Sequence, residues 1–280
     1  MKEVKSRKLL GVALTLLLAA VGNDSRADGR LLESSRHSEF SLSVSKASFS
    51  HENELTLTTS ALILCGQAEL PGGFYFVGEL PFSHYDLGGN SSREAELLFG
   101  NPYLGFRFEL PGSSPLFGLG FRPSLISEEN DKTGAMFIGA FSDFEQFEAY
   151  LPEVTTVYAS GGYKIVSLSG YSIRMLLGPA LYLISEEDDE LLAQGTIEFL
   201  YEKNRYNFGI GLGSKIWLTE SDLDFGERNL QYFKIRLGVS FNRLTPCLHL
   251  TAPLDEDFIL GVRQNLNYVW GIDLKVALDK

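Results

Sequence analysis

Cysteine is scarce in this 280-residue chain: Cys65 and Cys247 are the only two, so no disulfide framework organises the fold. They fall on segments not expected to be neighbours, which favours free thiols over a bridge. Histidine is nearly as rare, and His37, His51, His84 and His249 match no metal-ligand spacing; no metal or cofactor is expected. Gly-x-Ser-x-Gly, His-Glu-x-x-His and phosphate-loop motifs are all absent, so no local signature of catalysis exists and an enzyme is not the expected reading. A serine and a histidine need not be close in sequence, so His84 or His249 could still serve a lipid-acting hydrolase. Positive charge is in deficit: 24 Lys and Arg face 36 Asp and Glu, a net of −12 that argues against nucleic acid as a partner. Long apolar runs are missing after the N-terminal region. The longest, 175–184, is broken by Gly178 and Pro179 and cannot span a bilayer as a helix.

The N-terminal region is different. Lys2, Lys5, Arg7 and Lys8 precede an apolar stretch from Leu9 to Val21, and Ser25-Arg26-Ala27 offers small residues for cleavage before Asp28. Residues 1–27 therefore read as a cleavable signal peptide, with Ala20-Val21-Gly22 as an alternative site and an uncleaved anchor as the other reading. The leader carries a net +3, which leaves −15 on residues 28–280, one large β domain.

What fills that domain is period-two alternation. Leu104, Phe106, Phe108 and Leu110 oppose Gly105, Arg107 and Glu109; Phe233, Ile235, Leu237 and Val239 oppose Lys234, Arg236 and Gly238; Trp270, Ile272, Leu274 and Val276 oppose Gly271, Asp273 and Lys275. Twelve such strands can be read, among them 40–49, 55–70, 103–110 and 267–278, with ten as an alternative if the N-terminal part is loose. The links between them alternate between short turns and long loops; only the first, from Ser50 to Glu54, breaks the pattern. A soluble β-sandwich alternates too. A glycine-rich, charged second face and asymmetric loops behind an export signal favour an antiparallel, up-and-down transmembrane β-barrel in the outer membrane of a Gram-negative envelope. Its expected partners are outer-membrane lipids, the barrel assembly machinery and a small-molecule solute of unknown identity.

On this reading the second face lines a lumen. It carries Arg107, Arg122, Lys164, Arg174, Lys215, Lys234, Arg236 and Lys275 against Glu79, Glu109, Glu198 and Asp273, a local basic surplus inside an acidic protein. Such a surplus suits a pore for anionic or polar solutes. It equally suits ion pairs that cross a narrow lumen and brace its walls. Hairpin pairing places Arg107 opposite Gly118 or Gly120, where glycine leaves a long cation room to extend. The link 125–154 repeats Met136, Phe137, Ile138, Phe141, Phe144, Phe147 and Tyr150 at roughly helical spacing. Phe137, Phe141, Phe144 and Phe147 are candidates for a constriction in the barrel mouth; packing on the rim is the alternative. Acidic runs at 186–190 and 255–257 lack the spaced ligands of a calcium loop and read as solvated charge.

Gly100-Asn101-Pro102-Tyr103-Leu104-Gly105, preceded by Gly78-Glu79-Leu80-Pro81-Phe82, resembles the bacterial outer-membrane transporter family named for the MetA pathway of phenol degradation. The resemblance covers about a fifth of the chain. It implies an exported barrel that passes small molecules, some of them hydrophobic. Where outer-membrane barrels commonly carry a terminal aromatic read by the assembly machinery, Leu278-Asp279-Lys280 stands here. The expectation is a porin-like transport channel. The alternatives are a lipid-acting enzyme and a structural barrel with a plugged lumen.

Overall fold

The alternating stretches pair with their sequence neighbours, as β-branched and aromatic residues at every second position favour. A computed structural model describes residues 38–49, 59–86 and 95–278, apart from 111, 113, 128, 130, 168, 186–187, 204, 220–227 and 255–265. The expected leader lies outside these residues, as do His37, His51 and the acidic run 255–257.

The strands are β1 (Glu39–Phe49), β2 (Ser60–Leu70), β3 (Phe74–Tyr85), β4 (Glu96–Phe99), β5 (Tyr103–Glu109), β6 (Ser114–Arg122) and β7 (Val154–Val166). They continue as β8 (Tyr171–Ile184), β9 (Glu190–Lys203), β10 (Tyr206–Trp217), β11 (Asn229–Val239), β12 (Leu244–Pro253) and β13 (Leu266–Ala277). All pairings are antiparallel, and β1 returns to β13 from Glu39↔Ala277 to Phe49↔Leu266, closing the barrel. The thirteen segments fill twelve positions, because β4 and β5 share one flank of β3: Phe82↔Phe99 pairs the first and Glu79↔Tyr103 the second. Gly100, Asn101 and Pro102 interrupt that shared strand, with the Gly100 N–H donating to the Pro81 carbonyl at 2.9 Å. The alternation in the sequence starts this strand at Tyr103, whereas the structure adds β4 ahead of it. Four residues beyond a break are too few to show a period.

Links between the described strands alternate in length, the five-residue link 185–189 between β8 and β9 differing least from the short turns. The expected first link, 50–54, lies outside the described residues, while β2–β3, β5–β6, β7–β8, β9–β10 and β11–β12 are joined by turns of two to four residues. Glu39 and Ala277 consequently sit together at the short-turn end, where the Leu278 N–H donates to the Ser38 carbonyl at 2.8 Å.

Side chains sort inside out relative to a soluble protein. Phe106 is 55% exposed and Leu237 54%, whereas Arg174 is 1% exposed and Glu198 fully buried. On the outer face Phe74, Phe108 and Phe117 form a cross-strand ladder with ring centroids 5.0 and 5.6 Å apart, each contact worth about 0.5–1.5 kcal/mol. Exposed Tyr163, Tyr171 and Tyr206 ring the short-turn end, and Phe99, Tyr268 and Trp270 lie towards the other, the two aromatic girdles of a membrane barrel. Closure pairs the strands all round, the condition for a sheet to stand in hydrocarbon.

Between β6 and β7 the chain forms α1 (Thr133–Ser142) and then a kinked 3₁₀ segment, Phe144–Tyr150. Two glycines in ten residues make a poor helix, and α1 is apolar on nearly every side, so burial rather than propensity holds it. A carboxylate oxygen of Glu96 accepts from the Ala135 N–H at 2.9 Å, satisfying one open donor of its first turn.

Candidate functional site

The segment 133–150 lies inside the barrel at its long-loop end. All seven residues of Phe144–Tyr150 are buried. Asn101, in the break between β4 and β5, anchors it from the wall. Its side-chain amide donates to the Leu151 carbonyl at 2.8 Å and its backbone N–H to the Ala149 carbonyl at 2.7 Å. Its side-chain oxygen accepts from Leu125 N–H at 2.7 Å. The Ser83 hydroxyl donates to the Ala135 carbonyl at 2.7 Å, and the Ala47 N–H donates to the Ser142 hydroxyl at 3.2 Å.

Three of the four constriction candidates therefore stand within the lumen. Phe147 stacks on Trp217 at 5.7 Å, with the Lys215 ammonium 4.8 Å from its ring centre. Phe144 meets Tyr232 edge-on at 5.7 Å, and Phe141 packs on Phe49 at 5.8 Å. Phe137 is half exposed and stays at the mouth, stacked against Phe49 at 6.1 Å. Rim packing describes Phe137; the rest of the segment is a plug.

Every lumen candidate faces inward, and ion pairs define two layers. In the plug layer Lys215 Nζ lies 2.9 Å from Glu148 Oε2, and Lys234 Nζ lies 2.7 Å from Glu145 Oε1. Arg122 ties the plug to three parts of the wall: Nη1 donates to the Asn101 carbonyl at 2.7 Å, Nη2 to Glu79 at 3.2 Å, and Nε to the Tyr158 hydroxyl at 3.4 Å. Nη2 also donates to the side-chain oxygen of Gln146. Glu148 accepts from the Tyr158 hydroxyl at 2.7 Å. Burial pushes the Glu148 carboxyl up, but Lys215 and Arg122 outweigh it and hold it below the usual carboxylate value.

Nearer the short turns Glu109 gathers three cations: Lys164 at 2.6 Å, Arg174 at 3.2 Å and Arg107 at 4.0 Å. Arg174 continues to Glu198 at 3.7 Å, its cross-strand neighbour. Arg236 faces Asp273 at 3.5 Å, and Lys275 faces Glu39 at 3.8 Å, a carboxylate that the sequence reading left out of the lumen. Below these layers a vestibule of about 570 Å³ opens at the short-turn end, with Lys164, Lys203, Arg236, Arg243 and Lys275 among its walls.

Arg107 does stand opposite Gly118. At three other inward glycines the space serves a ring rather than a cation. A Cβ at Gly105 or Gly120 would collide with the Tyr103 ring, and one at Gly213 with the Tyr232 ring. Cys65 and Cys247 are buried and not joined by a disulfide, on strands with β1 and β13 between them.

No protein-family model and no curated protein matches the chain. Among solved structures it is similar to the COG4313 outer membrane channel from Pseudomonas putida F1, with 12% identity over 90% of this chain and 99% of that one and a TM-score of 0.58. It is also similar to the KdgM porin, with 8% identity over 85% of this chain and 99% of that one and a TM-score of 0.50. At such identities the likeness is one of fold. The protein has the closed, twelve-position antiparallel barrel of outer-membrane proteins.

Proposed function

We propose that the protein is an outer-membrane channel for small anionic or polar solutes, and that segment 133–150 is its gate. The resemblance of residues 78–82 and 100–105 to the transporter family named for the MetA pathway would accord with this reading. One observation carries it: the plug supplies carboxylates to a wall that is otherwise short of them. Glu145 and Glu148 neutralise Lys234, part-buried on β11, and Lys215, buried on β10. With the plug in place these cations are spoken for. With it displaced they face the lumen, and a row of exposed cations favours anions.

Planar-bilayer recordings test the proposal. Wild-type protein is expected to give small, infrequent steps, and the double variant Glu145→Gln/Glu148→Gln larger and more frequent ones with anion selectivity. Neutralising Arg107, Arg122 and Arg236 should then reduce that selectivity. The Glu109 cluster favours a second reading, a structural barrel braced across its lumen. Silent insertion by both wild type and the double variant would select the structural barrel.

A further inference from the structure

His249 stands between a serine and a carboxylate that the barrel register brings to it from two other strands. Ser45, Gly271 and His249 lie in one cross-strand row on β1, β13 and β12, with Asp273 one inward position along β13. Gly271 is what lets the row work. A Cβ there would collide with the imidazole, so the ring lies across the bare backbone of β13 and reaches β1. His249 Nε2 is 3.2 Å from the Ser45 hydroxyl, and its Nδ1 is 3.3 Å from Asp273 Oδ1. The same Asp273 oxygen accepts from the Ser43 hydroxyl at 2.6 Å, and Arg236 lies 3.5 Å from the other, so the carboxylate is anchored on both sides. With Nδ1–H directed at Asp273, Nε2 keeps its lone pair for the Ser45 proton. That is the arrangement of nucleophile, base and orienting carboxylate used in acyl transfer.

The three residues do not sit in solid packing. Ser45, His249 and Asp273 line a cavity of about 40 Å³, roofed by Ser142 and Phe144 of the plug, with room for roughly three waters or an acyl group of that size. Lys234 and Arg236 also line it, as do the carboxylates of Asp143 and Glu145; Lys234 is paired with Glu145 at 2.7 Å, and with Glu145 neutralised its ammonium is able to stabilise a developing oxyanion. Arg236 and the neighbouring Cys247 face the vestibule as well, so the cavity is one side chain away from the short-turn opening.

The geometry points to Ser45 as a nucleophile and His249 as its general base, in a site that hydrolyses carboxylic esters with short acyl groups, with Asp273 positioning the imidazole. Ser45 Oγ attacks the carbonyl carbon while its proton passes to His249 Nε2. The bond to the alcohol oxygen breaks, and His249 returns that proton to the leaving alkoxide. Water, deprotonated by the same imidazole, then attacks the acyl-enzyme, releasing the acid and restoring the serine hydroxyl. This activity is separate from permeation and survives whichever way the conductance experiment falls.

The test uses the full barrel in detergent micelles with 4-nitrophenyl acetate. It is run on wild type and on the plug-loosened Glu145→Gln/Glu148→Gln background. The expected result is a burst of nitrophenol with an acetyl adduct on the peptide containing Ser45, in at least one of the two. Ser45→Ala should remove the adduct, and His249→Asn should slow its formation by about 10²-fold or more. Asp273→Asn should lower kcat with KM unchanged, a split that a loosened barrel would not give. Should the histidine or aspartate variant fail to fold, as read by heat-modifiable gel migration, Ser45→Ala decides alone. Absence of the adduct from both backgrounds overturns the proposal, as does an adduct that persists in Ser45→Ala.

Discussion

Arg122 shows how much a single inward side chain can carry. Four of its N–H donors go to Asn101, Glu79, Tyr158 and Gln146, and its Cζ lies 5.5 Å from the Tyr103 ring centre. Arginine suits the position because a planar fork serves several acceptors at once, which a lysine would not. Removing it leaves the Glu79 charge buried beside the plug without its arginine, a loss of about 3–5 kcal/mol for breaking a buried pair. Arg122→Ala is therefore expected to lower stability by that order in equilibrium unfolding from lipid or detergent, and to raise single-channel activity because Gln146 loses its anchor. The outward face gives the converse case. Leu237, paired across strands with Phe208 and Leu248, is expected to cost about 2–4 kcal/mol when replaced by arginine near the bilayer midplane. A Leu237→Arg protein as stable as wild type in lipid would show that this face does not meet hydrocarbon.

At the scale of elements, the strands were legible because a barrel has only two faces and each residue must choose one. Phe233 to Val239 could be assigned outward from sequence alone, and with them the inward Lys234 and Arg236. The plug was legible only as a helical spacing, since aromatic residues at such intervals suit a rim helix and a lumen helix alike. What decides between them is Asn101, whose bonds to residues 125, 149 and 151 draw the link inward; no local pattern announces that role. Of the Ser45–His249–Asp273 row the sequence offers only His249, as one of two histidines that could meet a serine; its partners were not legible, because register, not spacing, joins Ser45 to residues more than two hundred positions away. The plug also carries a pH dependence with a definite sign. Glu148 is held below the usual carboxylate value in place, so its ion pairs add stability to the plugged state above the ordinary glutamate pKa of about 4.3. That contribution fades as the pH falls below about 4.3 and through the lower, plugged-state value. Bilayer conductance is expected to rise on acidification over that range and to lose most of this response in Glu148→Gln. An unchanged acid response in the variant would move the gate elsewhere.

For the whole molecule the governing fact is that charge is distributed radially. The formal net charge is −12, yet the inner wall is rich in lysine and arginine, so the acidic surplus belongs to loops and to the plug. For Lys215 and Lys234 the barrel thus carries the counter-ions on the link between β6 and β7, whereas the other inward cations pair with carboxylates of the strands. Replacing residues 133–150 by a short Gly-Ser link should leave the closed twelve-position sheet intact, since its strand pairings run through backbone groups that the plug does not supply. The same deletion should convert a poorly conducting barrel into an anion-selective one. Reversal potentials under a salt gradient measure that change, and the selectivity should weaken as ionic strength shortens the Debye length to about 3 Å near 1 M. A shortened barrel that conducts without anion preference at low salt would show that Lys215 and Lys234 find other carboxylates once Glu148 and Glu145 are gone, and that the wall, not the plug, sets the charge of the pore.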